Sequence, residues 1–143
     1  MAESTDYKRF KAKVPQPGDR LDRVENILVR GMPDINMCSK GTEIWMEQKS
    51  PREPKRPRTP LFGSNHRVSQ NQKNWFLRQR QAGRRAWFLI TTDKRWMLID
   101  GIFADQLNEM TVNELIMCSS WSTLKPVRDR GQWAALHAVL FGH

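Results

Sequence analysis

Gly31-Met-Pro-Asp-Ile-Asn-Met-Cys-Ser-Lys-Gly-Thr-Glu-Ile-Trp-Met-Glu-Gln-Lys49 is the stretch that decides the fold. Met32 to Cys38 and Glu43 to Lys49 are short segments with strand-like apolar residues. Between them, Ser39-Lys40-Gly41-Thr42 has turn composition, with a glycine able to take positive φ. The stretch is read as a β-hairpin. If Cys38 faces Glu43, Asp34 falls opposite Glu47, and the two-residue strand period puts Glu47 and Lys49 on one face and Gln48 on the other. Two carboxylates and an ammonium then share one small patch. Like charges opposed on a sheet destabilise it, so the pair needs a cation, either Lys49 or a bound metal. A one-residue slip in the turn would break this register, and an ordinary exposed hairpin face with a Glu-x-Lys ion pair is the plainer alternative.

Working outward, 143 residues give room for one domain with a real core and little else. Lys and Arg outnumber Asp and Glu 24 to 15, for a formal net charge of +9, which points toward a polyanionic partner such as nucleic acid. A merely basic soluble protein is the alternative. Cys38 and Cys118 form no Cys-x-x-Cys pair and suit a reduced, cytoplasmic setting better than a disulfide framework or a zinc site. The opening residues lack the apolar run of a signal peptide, and no later stretch reaches membrane-spanning length, so no membrane partner is expected.

Residues 1–17 are polar and interrupted by Pro15 and Pro17, and are expected to form a basic N-terminal arm ahead of one domain over 18–143. From Asp19, a possible cap, the spacing of Leu21, Val24 and Leu28 with Gly31 as a stop predicts a helix of about three turns. Glu25 lies on or beside its apolar face, where a carboxylate needs a partner or reaches water. After the hairpin, residues 50–65 begin with prolines alternating with basic residues, which excludes a regular helix and predicts an extended basic loop. Arg52, Lys55, Arg56 and Arg58, with Arg67 and Lys73 beyond them, are the candidate phosphate contacts. A plain linker or a nuclear-localisation-like run are the competing readings.

Ser69-Gln-Asn-Gln72 is a capping box opening a helix to about Ala82, with Gly83 as its stop. Ala86 to Thr91 and Arg95 to Ile99 are continuous apolar runs that read as buried central strands. Thr111 opens a short second capped helix, and Trp133, Leu136, His137 and Leu140 recur at helical spacing, so residues 111–143 are expected to be a C-terminal helical part. Ser119 to Arg130 shows no clear period. His137 is read as a satisfied core histidine.

The order helix, strand, strand, helix, strand, strand meets four sets of residues: Gly31-Met-Pro-Asp34, Trp45-Met-Glu47-Gln-Lys49, Val68-Ser-Gln-Asn-Gln72-Lys-Asn-Trp75 and Ala82-Gly83. Together they resemble the PD-(D/E)xK nuclease superfamily, most closely its VRR-NUC and Holliday-junction-resolvase-like branches found in phages and repair enzymes. The resemblance covers residues 19–100 and implies an α/β, restriction-endonuclease-like core, a mixed sheet flanked by helices, with C-terminal helices added. It further implies a metal-dependent endonuclease that hydrolyses DNA phosphodiester bonds, with junction or branched DNA among its substrates, and a homodimer.

On the resemblance, Asp34 and Glu47 hold Mg²⁺ or Mn²⁺ with the backbone carbonyl of Gln48, and Lys49 orients or activates the attacking water. Gln72 matches the glutamine that VRR-NUC proteins place at the start of the following helix, and Glu25 the acidic residue of the first helix. The proline-rich insertion after Lys49 is a departure, and nothing beyond Asp100 matches. The alternative function is a nuclease-like fold that no longer cuts and serves as a DNA-binding or structural virion component. Retention of Asp34, Glu47 and Lys49 together argues against it. A third reading is an interaction protein that works through its C-terminal helix.

Overall fold

The computed structural model describes residues 4–25, 29–63 and 65–143. The elements in chain order are α1 (Thr5–Lys13), β1 (Arg20–Arg23), β2 (Ile35–Ser39), β3 (Thr42–Lys49), α2 (Gln70–Gln81), β4 (Arg85–Thr91), β5 (Arg95–Asp100), α3 (Val112–Cys118), β6 (Trp121–Leu124) and α4 (Arg130–Phe141). The strands form one six-stranded sheet in sequence order. Neighbours are antiparallel except β3 and β4, which run parallel because the chain crosses over through α2 between them.

Side-chain alternation divides the core in two. On one face, Ile35, Met37, Ile44, Met46, Leu89 and Leu98 meet Tyr7 and Phe10 of α1 and Leu136 and Leu140 of α4. On the other, Phe88, Ile90, Met97 and Ile99 meet Phe76 of α2, Leu115 of α3 and the loop residues Leu61, Phe62 and Val68. Strands β4 and β5 are buried on both faces, so their continuous apolar runs are what a central strand requires.

The hairpin closes in the expected register, Cys38 opposite Glu43 and Ile35 opposite Met46. Gly41 takes φ +82° in its turn. Helix α2 begins at the Ser69 capping box, where the Ser69 hydroxyl accepts from the Gln72 amide and the Gln72 side chain accepts from the Ser69 amide. Replacing Ser69 by Ala should lower stability by about 1 kcal/mol, read as a drop in the thermal midpoint. The Thr111 box opens α3, and α4 packs Trp133, Leu136, His137 and Leu140 into the core.

Three expectations need correction. The N-terminal residues are no arm: α1 is capped by Ser4 and buries Tyr7, Phe10 and Val14, whose helical spacing outweighs the charged residues around them. Asp19 does not open a helix. Residues 20–23 are a strand, because pairing with β2 lets Leu21 reach the core with polar neighbours outward. Leu28 lies outside the described residues. The buried Asp19 carboxylate instead sits 2.7 Å from His137 Nε2 and accepts from the Gln16 amide.

The basic loop is an extended connection as expected, with no helix or strand among its described residues, and it is tied down at several points. Glu53 binds Arg95 at 2.8 Å and hydrogen-bonds the Thr92 hydroxyl, Leu61 donates to the Met110 carbonyl, and Asn108 clasps both backbone groups of Val68. Finally, the C-terminal part is not wholly helical, since β6 pairs with β5 and forms the sheet's edge.

Candidate active site

Asp34 immediately precedes β2 and Glu47 lies one residue beyond the Ile35–Met46 pair, so the antiparallel register sets the two acids across from one another. Strand period places Trp45, Glu47 and Lys49 on the face covered by α2, and Gln48 on the α1 face. The backbone continues the pairing outward, the Val24 amide donating to the Asp34 carbonyl at 2.6 Å. Lys49 is buried, and its ammonium donates to the Arg67 carbonyl at 3.3 Å. The end of β3 is thereby tied to the loop that leads into α2.

What holds α2 beside this patch is an aromatic series. Trp45 meets Trp75 edge-on at 5.9 Å, Trp75 meets Phe76 at 5.3 Å, and Phe76 stacks on Phe88 at 4.0 Å. The N-terminus of α2 then abuts the turn that delivers Asp34. At Gly31, with φ +82°, a Cβ would lie 2.1 Å from the Asn71 carbonyl oxygen. Glycine is required here both for the left-handed backbone and for the close approach.

Burial, with the Asp34 carboxylate beside it, pushes the Glu47 carboxyl up to about 7, while Lys49 and Arg23 pull it the other way. Burial also pushes the Lys49 ammonium below the usual lysine value, against the pull of Glu47 and Asp34. Glu47 therefore binds its proton more tightly in the fold than in the unfolded chain, where 4.5 is the ordinary value. The linked stability is fully present below pH 4.5 and is lost as pH rises through about 7. Without added cation, raising the pH from 5 to 8 should cost roughly 2 kcal/mol after allowance for solvent reach, and Glu47→Gln should flatten that slope. Urea melts across this range check it.

Sequence reasoning missed Arg23, whose guanidinium pairs with Asp34 at 3.1 Å and lies 4.8 Å from the Tyr7 ring centroid. It reaches Asp34 only because residues 20–23 are a strand, which the helical reading of the same residues concealed. Also unread was the network behind Gln48, whose side chain accepts from the Ser4 hydroxyl and donates to Ser50 and Thr91. Its signal was the alternation that sends Gln48 away from Glu47 and Lys49.

Other expected site residues fare differently. Glu25 is exposed just beyond β1 and lies on no helix, and the acid of the first helix is Asp6, which pairs with Lys125 at 2.8 Å. Gln72 stands at the α2 terminus against Gly31, with its side-chain carbonyl committed to the cap. Arg52, Lys55, Arg56, Arg58 and Arg67 are exposed and Lys73 is half-buried.

Among the described residues, no three His, Cys, Asp or Glu side chains form a ready-made metal cluster. The donors at the hairpin are two carboxylates and main-chain oxygens, a hard set that suits Mg²⁺ or Mn²⁺. A half-buried acid raised toward neutrality by burial and by a second acid is a place where a divalent cation would be favoured, so the residues fit such an ion.

The mixed six-stranded sheet flanked by helices defines a restriction-endonuclease-like α/β fold. No family model and no curated protein matches the sequence. Among solved structures, the chain is similar to Hjc of Archaeoglobus fulgidus, a Holliday junction resolvase from an archaeal hyperthermophile. The TM-score is 0.54 at 15% identity, over 80% of this chain and 90% of that one.

Proposed function

We propose that the protein is a metal-dependent, structure-specific endodeoxyribonuclease of the PD-(D/E)xK type, acting on junction or branched DNA. The single observation that carries this reading is the Asp34–Glu47–Lys49 patch, with its raised Glu47 carboxyl, seated on a fold similar to that of a Holliday junction resolvase.

Asp34, Glu47 and the Gln48 carbonyl would hold the ion. A divalent cation bound there would acidify a coordinated water and stabilise charge building on the phosphate. Lys49, held by the Arg67 carbonyl, orients the attacking water and offsets negative charge at the phosphorus. Arg23 neutralises Asp34 through their 3.1 Å pair, a role that a bound cation would share. Arg52, Lys55, Arg56 and Arg58 contact the backbone of the DNA beside the site, with Arg67 and Lys73 completing the track, and this affinity weakens as salt rises.

The test is cleavage of labelled four-way-junction, duplex and single-stranded DNA in Mg²⁺ or Mn²⁺. Preferential cutting of the junction is the expected result. Equal cutting of all three would remove the structure specificity, and no cutting of any, with binding retained, would overturn the enzyme assignment.

A further inference from the structure

On the sheet face opposite the acidic patch, α1, the turn over residues 14–17 and the start of α4 enclose an open groove of about 420 Å³. Its floor is apolar and closed, with Val14 and Trp133 buried. Around it stand Arg9, Lys13, Arg128 and Arg130, all exposed, and no carboxylate is among the described residues that line it.

The carboxylates nearest in sequence are engaged elsewhere. Asp129, between two of the arginines, turns back to cap the first turn of α4 by accepting from the Gly131 amide at 2.8 Å. Asp19 is buried against His137, and Asp6 pairs with Lys125. Arg9 is held in place, donating to the Val127 carbonyl at 2.6 Å with its guanidinium 5.7 Å from the Trp133 ring centroid. Lys13, Arg128 and Arg130 make no ion pair among the described residues. Four like charges are thus gathered around one concavity without compensation, which is unfavourable until an anion arrives.

We infer that this groove seats the phosphate backbone of a nucleic acid, as a second contact surface separated from the Asp34–Glu47 patch by the sheet. The charges favour a chain of phosphates over a single ion. Arg9 and Lys13 follow one another along α1, while Arg128 and Arg130 line the other side, so the positive field runs as a track rather than converging on a point. A lipid surface is a poorer match, because the exposed large apolar residues among those described, Val29, Ile102, Met117 and Leu124, do not line the groove. The overall charge of +9 agrees with a polyanionic ligand. A straight duplex cannot lie against both faces of the sheet, so the groove engages a second segment, or one that bends around the edge.

This surface binds whether or not Asp34 and Glu47 cut, so its test is binding alone. Anisotropy of a labelled duplex is followed across salt for the full chain and for Lys13→Gln/Arg128→Gln/Arg130→Gln. Arg9 is left alone because it supports the groove wall. Lys8→Gln/Arg78→Gln/Arg84→Gln, exposed positions outside the groove, matches the change in net charge.

With about 0.9 counterion released per phosphate contact, the groove variant should lose roughly 10²-fold in affinity near 0.1 M salt and reduce the salt slope by about 2 to 3. The matched control should change little. Arg130→Gln alone, the smallest perturbation of the fold, should give about one-third of the slope change. Equal losses in groove and control variants, or no loss in the groove variant, would overturn the proposal. So would polyglutamate displacing the duplex as effectively per charge as unlabelled DNA.

Discussion

On the proposed function, Asp34→Asn and Glu47→Gln are each expected to lower DNA cleavage by a factor on the order of 10³ while leaving DNA binding within a few-fold of the parent, since each would remove a charged ligand of the metal ion. Both replacements keep side-chain volume and remove one negative charge, so neither opens a cavity. They act differently on the fold. Glu47→Gln relieves a raised, half-buried carboxyl and should leave the metal-free protein at least as stable near pH 8. Asp34→Asn removes the partner of Arg23, a half-exposed pair, and should cost less than about 1 kcal/mol. Loss of cleavage without loss of stability would separate a chemical role from a structural one. Rates and gel shifts on the same preparations check it, and a variant that cuts at the parental rate would remove that acid from the site.

Gly31→Ala should be the most damaging single methyl group in the hairpin region. The new Cβ would fall 2.1 Å from the Asn71 oxygen and 2.6 Å from the Gln72 nitrogen, both backbone atoms at the first turn of α2. Neither can swing aside as a flexible side chain would, and the residue must also keep φ +82°. Strain of both kinds together should cost on the order of 3 kcal/mol. Because Asp34 follows three residues later, part of that strain will appear as a displaced carboxylate, and activity should fall further than the melting point alone explains. Gly41→Ala, at a similar φ but with nothing within 4 Å, isolates the backbone contribution.

How much of this was legible in the sequence depends on the distance over which each feature is decided. The hairpin register follows from a turn glycine and short-range alternation, and α2 from a capping box contained in Ser69 to Gln72, so both were readable locally. Strands β4 and β5 announced themselves because burial on both faces leaves residues 86–90 and 96–99 without a polar side chain. Residues 20–23 were misread because Leu21, Val24 and Leu28 recur at helical spacing, whereas the strand is set by pairing with β2, which lies beyond local sequence. The core role of α1 was hidden by its charged residues and by Pro15 and Pro17, although Tyr7, Phe10 and Val14 already carried the helical spacing. Strand β6 is four residues whose identity is set by β5. Of the candidate site, the placement of Asp34 opposite Glu47, with Lys49 on the face of Glu47, was legible from the hairpin. Arg23 and the Ser4–Gln48–Thr91 network were not, because they join segments far apart in the chain.

The most direct measurement is the rate of four-way-junction cleavage as Mg²⁺ is titrated, with the parent and Lys49→Ala run side by side. The expected result is cutting by the parent that rises with Mg²⁺ and stops on chelation, and a variant that still binds the junction but does not cut it. Parental cutting that persists in chelator, or a Lys49→Ala protein as active as the parent, would contradict a metal-dependent site built on the β2–β3 hairpin.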